Sequence, residues 1–211
     1  MRFLVLGATG STGGLVVHQA VAAGHEVVAF VRDATKLAGW GKGSVVAGDV
    51  RDADALATVM DGVDAVISAL GLGSAKAADN LILDSTRAIV AAAERAELKR
   101  VVIMSAFGVG ESLAKASWIV RLMYAGGKTT FADKAAGEKL LAESALDWTL
   151  AYPGLLTKGP ATGAVRATDL NDLTRVPGVP RISRADVAAF LLNAATSGAW
   201  ARRTAVLTVG A

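Results

Sequence analysis

Val5-Leu6-Gly7-Ala8-Thr9-Gly10-Ser11-Thr12-Gly13-Gly14 is the stretch that decides how this chain folds. Residues 1–6 form a short apolar run that reads as a buried strand. Residues 15–23 read as a helix, and after the Gly24-His25 turn residues 26–31 read as a second strand. Each glycine of the triplet has a physical task in such a unit. Gly7 lets the chain leave the strand in a tight turn, Gly10 presents bare backbone to a pyrophosphate, and Gly13 lets the helix pack close to the strand. The free amides and positive dipole end of the helix then face the phosphates, with Thr9, Ser11 and Thr12 adding hydroxyl donors. The spacing is G-x-x-G-x-x-G rather than the G-x-G-x-x-G of many dehydrogenases. The strand before, the helix after and the second strand supply the context a dinucleotide-binding loop needs.

Working outward, the end of the second strand is where such a fold meets the adenosine ribose. Arg32 stands there with Lys36 four residues on, a pair suited to the 2′-phosphate of NADP; Asp33 between them keeps NAD possible. Residues 44–50 read as a third strand ending at Asp49-Val50, where the Asp49 carboxylate is placed to accept from the adenine amino group. A helix is expected over residues 51–60. A fourth strand over 63–71 opens through Ala69, Leu70 and Gly71 into a loop beside the cofactor. A long helix over about 77–96 and a fifth strand over 100–105, ending on Ser105, continue the alternation. This β-α-β rhythm predicts an α/β doubly wound parallel sheet, a Rossmann fold with its crevice at the carboxyl ends of the strands.

Composition sets bounds on the chemistry. A chain of 211 residues, 53% hydrophobic, suits one α/β domain over residues 1–211 with a buried parallel sheet. The net charge of +3 comes from scattered Lys and Arg, which argues against nucleic acid as a partner. There is no Cys, hence no disulfide and no thiolate nucleophile. The two histidines, His18 and His25, lie in the first helix and its exit turn, so no metal site is expected. No secretory signal and no run of transmembrane length is seen, and a cytoplasmic protein with no membrane partner is the expectation.

These residues resemble the atypical short-chain dehydrogenase/reductase family. The GATGxTG loop at Gly7 to Gly13, Val31-Arg32-Asp33, and Gly48-Asp49-Val50 are similar to its cofactor-binding segments. The run Lys134-Ala135-Ala136-Gly137-Glu138 is similar to its K-x-x-x-E helix. Thr149-Leu150-Ala151-Tyr152-Pro153 is similar to its T-x-x-R-P strand end. Within the family, Ser105-Ala106-Phe107 and the short C-terminal part look most like the biliverdin reductase B, or flavin reductase, branch. The resemblance implies NADPH as cofactor, Ser105 and Lys134 as catalytic residues that also touch the nicotinamide side, and Pro153, Gly154 and Leu155 running over it.

Two departures bear on the reaction. Family members that reduce ketones use Tyr-x-x-x-Lys, the Tyr acting as general acid. With Lys134 as that Lys, the Tyr position holds Thr130, and Tyr152 stands where Arg often precedes Pro153. Acceptors of the flavin-reductase type can do without the acid, because a planar ring takes hydride directly once two rings are oriented. The expected function is therefore an NADPH-dependent oxidoreductase reducing a small planar acceptor: a flavin, a quinone-like or a tetrapyrrole-like compound. A non-catalytic NADP-sensing regulatory protein is the alternative, and an epimerase with tightly held NAD is disfavoured by the missing Tyr-x-x-x-Lys. Residues 153–185 are expected to form the substrate side of an open cleft, with residues 154–160 as a loop and 161–182 as irregular strands. Residues 124–128 are expected to break a helix as a lid, and Phe107, Trp118 and Met123 are candidate apolar wall residues. A monomer or weak homo-oligomer is expected.

Overall fold

A computed structural model describes residues 1–37, 43–71, 80–124 and 128–209. In chain order the elements are β1 (Arg2–Leu6), α1 (Gly13–Ala22), β2 (Glu26–Val31), β3 (Ser44–Ala47), α2 (Ala53–Met60), β4 (Ala65–Ser68), α3 (Leu81–Arg95) and β5 (Arg100–Met104). Then follow α4 (Trp118–Tyr124), α5 (Lys128–Glu143), β6 (Asp147–Pro153), β7 (Leu155–Thr157), β8 (Val165–Asp169), β9 (Arg181–Ser183), α6 (Arg184–Ser197) and β10 (Arg203–Val209).

Eight strands form one sheet in the order β3-β2-β1-β4-β5-β6-β10-β8. All neighbours run parallel except β8, which pairs antiparallel with β10 at the edge. The first six positions follow the 3-2-1-4-5-6 order of the doubly wound dinucleotide fold, as the alternation predicts.

The apolar runs are continuous because both faces of the sheet are covered. Along β1 the side chains divide by parity. Phe3 and Val5 join the core under α1 and α6, while Leu4 and Leu6 join the core under α2, α3 and α5. Small residues let the first layer sit close: Ala20, Ala188 and Ala194 are wholly buried.

Helix ends are closed by side chains. Asp52 accepts from the amides of Asp54 and Ala55 at the start of α2, and Ser183 accepts from Asp186 at the start of α6. At α3 the cap comes from another helix: the Asp133 carboxylate of α5 accepts from the amides of Ile82 and Leu83 at 3.0 and 2.9 Å. This bond fixes α5, and the residue after Asp133, against the end of α3.

Residues 154–160 differ from the expected loop. Leu155–Thr157 is a strand, β7, paired in parallel with β9. Its partner lies 26 residues on, at Arg181 to Ser183, and is itself only three residues long, too short to show a period. Of the residues expected to break the helix, 124–128, Tyr124 closes α4 and Lys128 opens α5, and 125–127 lie outside the described residues, as does the start of the long helix expected from residue 77.

Candidate active site

The parallel strands end on one edge of the sheet, and the chain order reverses beside β1, which has β2 on one side and β4 on the other. That geometry opens a crevice at the end of β1. The glycine loop lies there. Gly7 has φ +79°, and a Cβ on it would meet the Ala69 carbonyl oxygen at 2.8 Å. A Cβ on Gly13 would lie 2.1 Å from the Gly7 oxygen, so only glycine lets α1 start this close to β1. Gly10 differs. Its amide donates to the Gly7 oxygen at 2.9 Å. An added Cβ would crowd that oxygen alone, at 3.1 Å. Thr9, Gly10 and Ser11 are exposed, while Thr12 is buried. The loop is thus packed on its inner side and bare on its outer side, a cradle at the N-terminus of α1 that suits a phosphate.

Arg32 and Lys36 are both exposed at the end of β2 and just beyond it. Asp33 turns back on its own chain, accepting from the Thr35 amide and hydroxyl at 3.0 and 2.6 Å. Those bonds, led by the hydroxyl, hold its pKa below the ordinary value. Asp33 therefore shapes the turn after β2, its carboxylate engaged by Thr35, while Arg32 beside it is exposed. Asp49 is gripped by Arg51, whose guanidinium reaches both carboxylate oxygens at 2.6 and 3.0 Å and lowers its pKa. Asp49, expected to accept from adenine, is thus already engaged by Arg51. Val50 is buried in the core with Leu56 and Met60 of α2.

Beside the crevice, Ser105 follows β5, with its amide bonded to the Ala151 oxygen of β6. Ser105 and Lys134 line one small cavity of about 10 Å³, together with Ser68, Leu70 and Glu138. Sequence separation of 29 residues is closed by α5 crossing the sheet, with Asp133 anchoring it to α3. One turn beyond Lys134, Glu138 Oε2 accepts from the Tyr152 hydroxyl at 2.5 Å. Burial raises the Glu138 pKa, and burial with the adjacent carboxylate raises that of Tyr152. Burial lowers the Lys134 pKa, with the charge of Glu138 opposing it. The Ser105 hydroxyl is near enough to favour the charged form of Glu138, yet beyond hydrogen-bond geometry. Ser105 Oγ and Glu138 Oε1 are both buried with no partner among the described residues. Glu138 and Tyr152 were visible as motif positions; their mutual bond, between a helix and a strand, was not.

Pro153 and Gly154 are buried at the end of β6, and Leu155 is exposed. Gly154 passes so near Pro180 that a Cβ would lie 2.4 Å from its oxygen. Phe107 is core, 1% exposed, whereas Trp118 is 69% exposed on α4. The Met123 side chain lies outside the described residues. No group of His, Asp or Glu that would hold a metal is found among the described residues, and no described helix is long and apolar enough to cross a membrane.

A family model described as NAD(P)H-binding matches residues 7–197. The chain belongs to the NAD(P)H-binding family. ChuY, an anaerobillin reductase from Escherichia coli, superposes on it with TM-score 0.81 and 27% identity, covering 99% of this chain and 97% of that one. A photosystem II assembly factor of Synechocystis sp. is 31% identical over 159 residues, 71% of this chain and 43% of its own length. An isoflavone reductase homolog of Arabidopsis thaliana is 30% identical over 164 residues, 72% of this chain and 48% of its own length. The chain thus spans less than half the length of the curated relatives it matches. Fold and family are those of an NAD(P)H-binding protein with a Rossmann-type sheet. The bare outer side of the Gly10 cradle, on the edge that also carries Ser105, fits the dinucleotide of an NAD(P)H-binding family member.

Proposed function

We propose that this protein is a cytoplasmic, NADPH-dependent oxidoreductase that reduces a planar small-molecule acceptor of the flavin, quinone-like or tetrapyrrole-like class. The observation that carries the reading is a complete dinucleotide cradle beside a cavity holding Ser105 and Lys134 but no acid Tyr. When bound, NADPH supplies the hydride. The Gly7 to Gly13 loop holds its pyrophosphate, and Arg32 with Lys36 holds the 2′-phosphate by charge-assisted bonds. Lys134 bonds the nicotinamide ribose hydroxyls, and Ser105 orients the carboxamide or the acceptor. Thr130 stands in the position of the missing Tyr and is too weak an acid to protonate a ketone oxygen. Residues 153–185 form the acceptor side of the cleft.

What remains to the protein is positioning, worth about 7–11 kcal/mol at best in well-oriented cases. That suffices for an intrinsically reactive ring acceptor. The similarity to an anaerobillin reductase supports the tetrapyrrole-like class. The test is an acceptor screen with purified protein and NADPH, following loss of nicotinamide absorbance. Flavins, quinones or linear tetrapyrroles are expected to be reduced, and simple alcohols and ketones are not turned over. Tight NADPH binding with no acceptor reduced would remove the reductase reading and leave a non-catalytic NADP sensor.

A further inference from the structure

The face of the sheet that carries Tyr152 continues past the small cavity onto β10 and β8. Tyr152 is paired in register with Val206, and Val206 with Thr168. Thr208 and Arg166 are the next pair on that face, one step nearer the carboxyl edge. Asp169, the acid of β8, falls on the opposite face and is taken by Arg203 at 3.1 Å.

Residues 170–180 arch over this corner and are held in place. The Val176 amide donates to the Lys115 oxygen at 2.9 Å, and the Ser117 hydroxyl donates to the Gly178 oxygen at 2.6 Å. Between arch and sheet lies a cavity of about 400 Å³. Its floor and walls are apolar, with Val206, Val176 and Pro180 contributing. Its polar lining residues are Thr168, Thr208 and three arginines, Arg166, Arg175 and Arg181. No acid lines it, and none of the three arginines has an ion-pair partner among the described residues. Three like charges around one cavity repel each other until an anion enters.

The cavity adjoins the proposed reaction centre. Its wall residue Pro180 accepts from the Leu155 amide at 2.8 Å, and its floor residue Val206 is the strand neighbour of Tyr152. Adjacent strands are about 5 Å apart, so the floor lies one strand from the side chain bonded to Glu138.

We infer that this cavity is an acceptor pocket for a planar, largely apolar molecule that carries carboxylate or phosphate groups. The ring lies against Val206, Val176 and Pro180, and the anion sits on Arg166, Arg175 and Arg181, where planar forked donors match a carboxylate or phosphate. The inference rests on the reductase reading for its use, and on the cavity alone for its binding chemistry.

Two ligand pairs separate anion from ring. Flavin mononucleotide differs from riboflavin by its phosphate, and biliverdin differs from its dimethyl ester by its free carboxylates. Binding of each is measured with NADP⁺ present, so that no turnover occurs, by flavin fluorescence or tetrapyrrole absorbance. The anionic member of at least one pair is expected to bind about tenfold tighter or more, one charge-assisted bond's worth. Which pair discriminates tells phosphate from carboxylate. The gap is expected to close in Arg166→Gln/Arg175→Gln/Arg181→Gln, with NADP⁺ affinity unchanged. No discrimination in either pair, or discrimination that survives the triple substitution, would overturn the inference. Turnover without discrimination removes the anion pocket and keeps the reductase. Charge-selective binding without turnover for any acceptor overturns its use as an acceptor pocket along with the reductase reading.

Discussion

Gly10→Ala separates the cofactor's need for bare backbone from the fold's. The added methyl carbon lies 3.1 Å from the Gly7 oxygen, a contact relieved by a few tenths of an ångström. Gly10 is not among the residues with positive φ, so alanine adopts its backbone without strain. Restricting the unfolded chain by a Gly→Ala change at such a site stabilises by about 0.4–1 kcal/mol, offsetting the close contact. The melting temperature is therefore expected to stay within roughly 3 °C of the parent. Cofactor binding responds otherwise, because Gly10 is exposed and the methyl has no neighbour within 4 Å but the Gly7 oxygen, so it takes up space open to a ligand. Losing one charge-assisted bond from loop to phosphate costs about 1.5–3 kcal/mol, a tenfold to 150-fold weaker affinity. Gly13→Ala is the control. Its methyl carbon would lie 2.1 Å from a backbone oxygen, so α1 must move off β1. Overpacking of that kind costs about 1–3 kcal/mol and shows as a lower melting temperature. The assay is calorimetric NADPH titration beside a thermal melt for each variant. A Gly10→Ala protein that melts like the parent and binds NADPH within about twofold of it would show that the dinucleotide does not ride on this loop.

Arg32→Ala is expected to weaken NADPH by about 10- to 100-fold while NADH changes little, read by titration with each; equal losses would make Arg32 structural. Lys134→Ala is expected to lower both NADPH affinity and turnover by tenfold or more, and Ser105→Ala to slow turnover about two- to tenfold with NADPH binding kept. A Lys134→Ala protein with unchanged affinity would take that residue off the ribose. Glu138→Gln is expected to alter the pH dependence of stability. Burial raises the Glu138 pKa, so the folded protein holds this proton more tightly than the unfolded chain does. The stability it contributes is full below about pH 4.3, the unfolded value, and is lost as pH rises through the raised folded value. The Gln variant keeps an acceptor for Tyr152 and carries no charge, so its melting temperature should fall less over that rise; parallel profiles would show that Glu138 ionises freely.

Local signals carried the fold and the packing of the glycine loop. The apolar runs of β1, β2, β4 and β5, each closed by a glycine, a charged residue or a serine, state a parallel sheet without reference to distant residues. The jobs assigned to Gly7 and Gly13 in the loop are visible as backbone atoms within 2.1–2.8 Å of where a side chain would be. The other half is built from contacts between remote residues. β7 exists only by pairing with β9, the α3 cap comes from Asp133 some fifty positions away, and Arg166, Arg175 and Arg181 come to one cavity from β8, the arch and β9.

Tyr152 shows why composition of a motif is not enough. Read along the chain, it is a missing Arg before Pro153. In space, its hydroxyl takes one oxygen of Glu138 and leaves the other buried beside Ser105. An Arg there would neutralise Glu138 as an ion pair; a Tyr supplies one neutral hydrogen bond and no charge. The carboxyl is eased by the Ser105 and Tyr152 hydroxyls and, less, by the charge of Lys134 one turn away on α5, while burial pushes the two pKa values toward each other, Glu138 upward and Lys134 downward. Tyr152 on the strand thus leaves Glu138 and Lys134, one turn apart on α5, as two largely buried ionisable groups whose charges favour one another, and the sequence shows the carboxyl only as a motif letter.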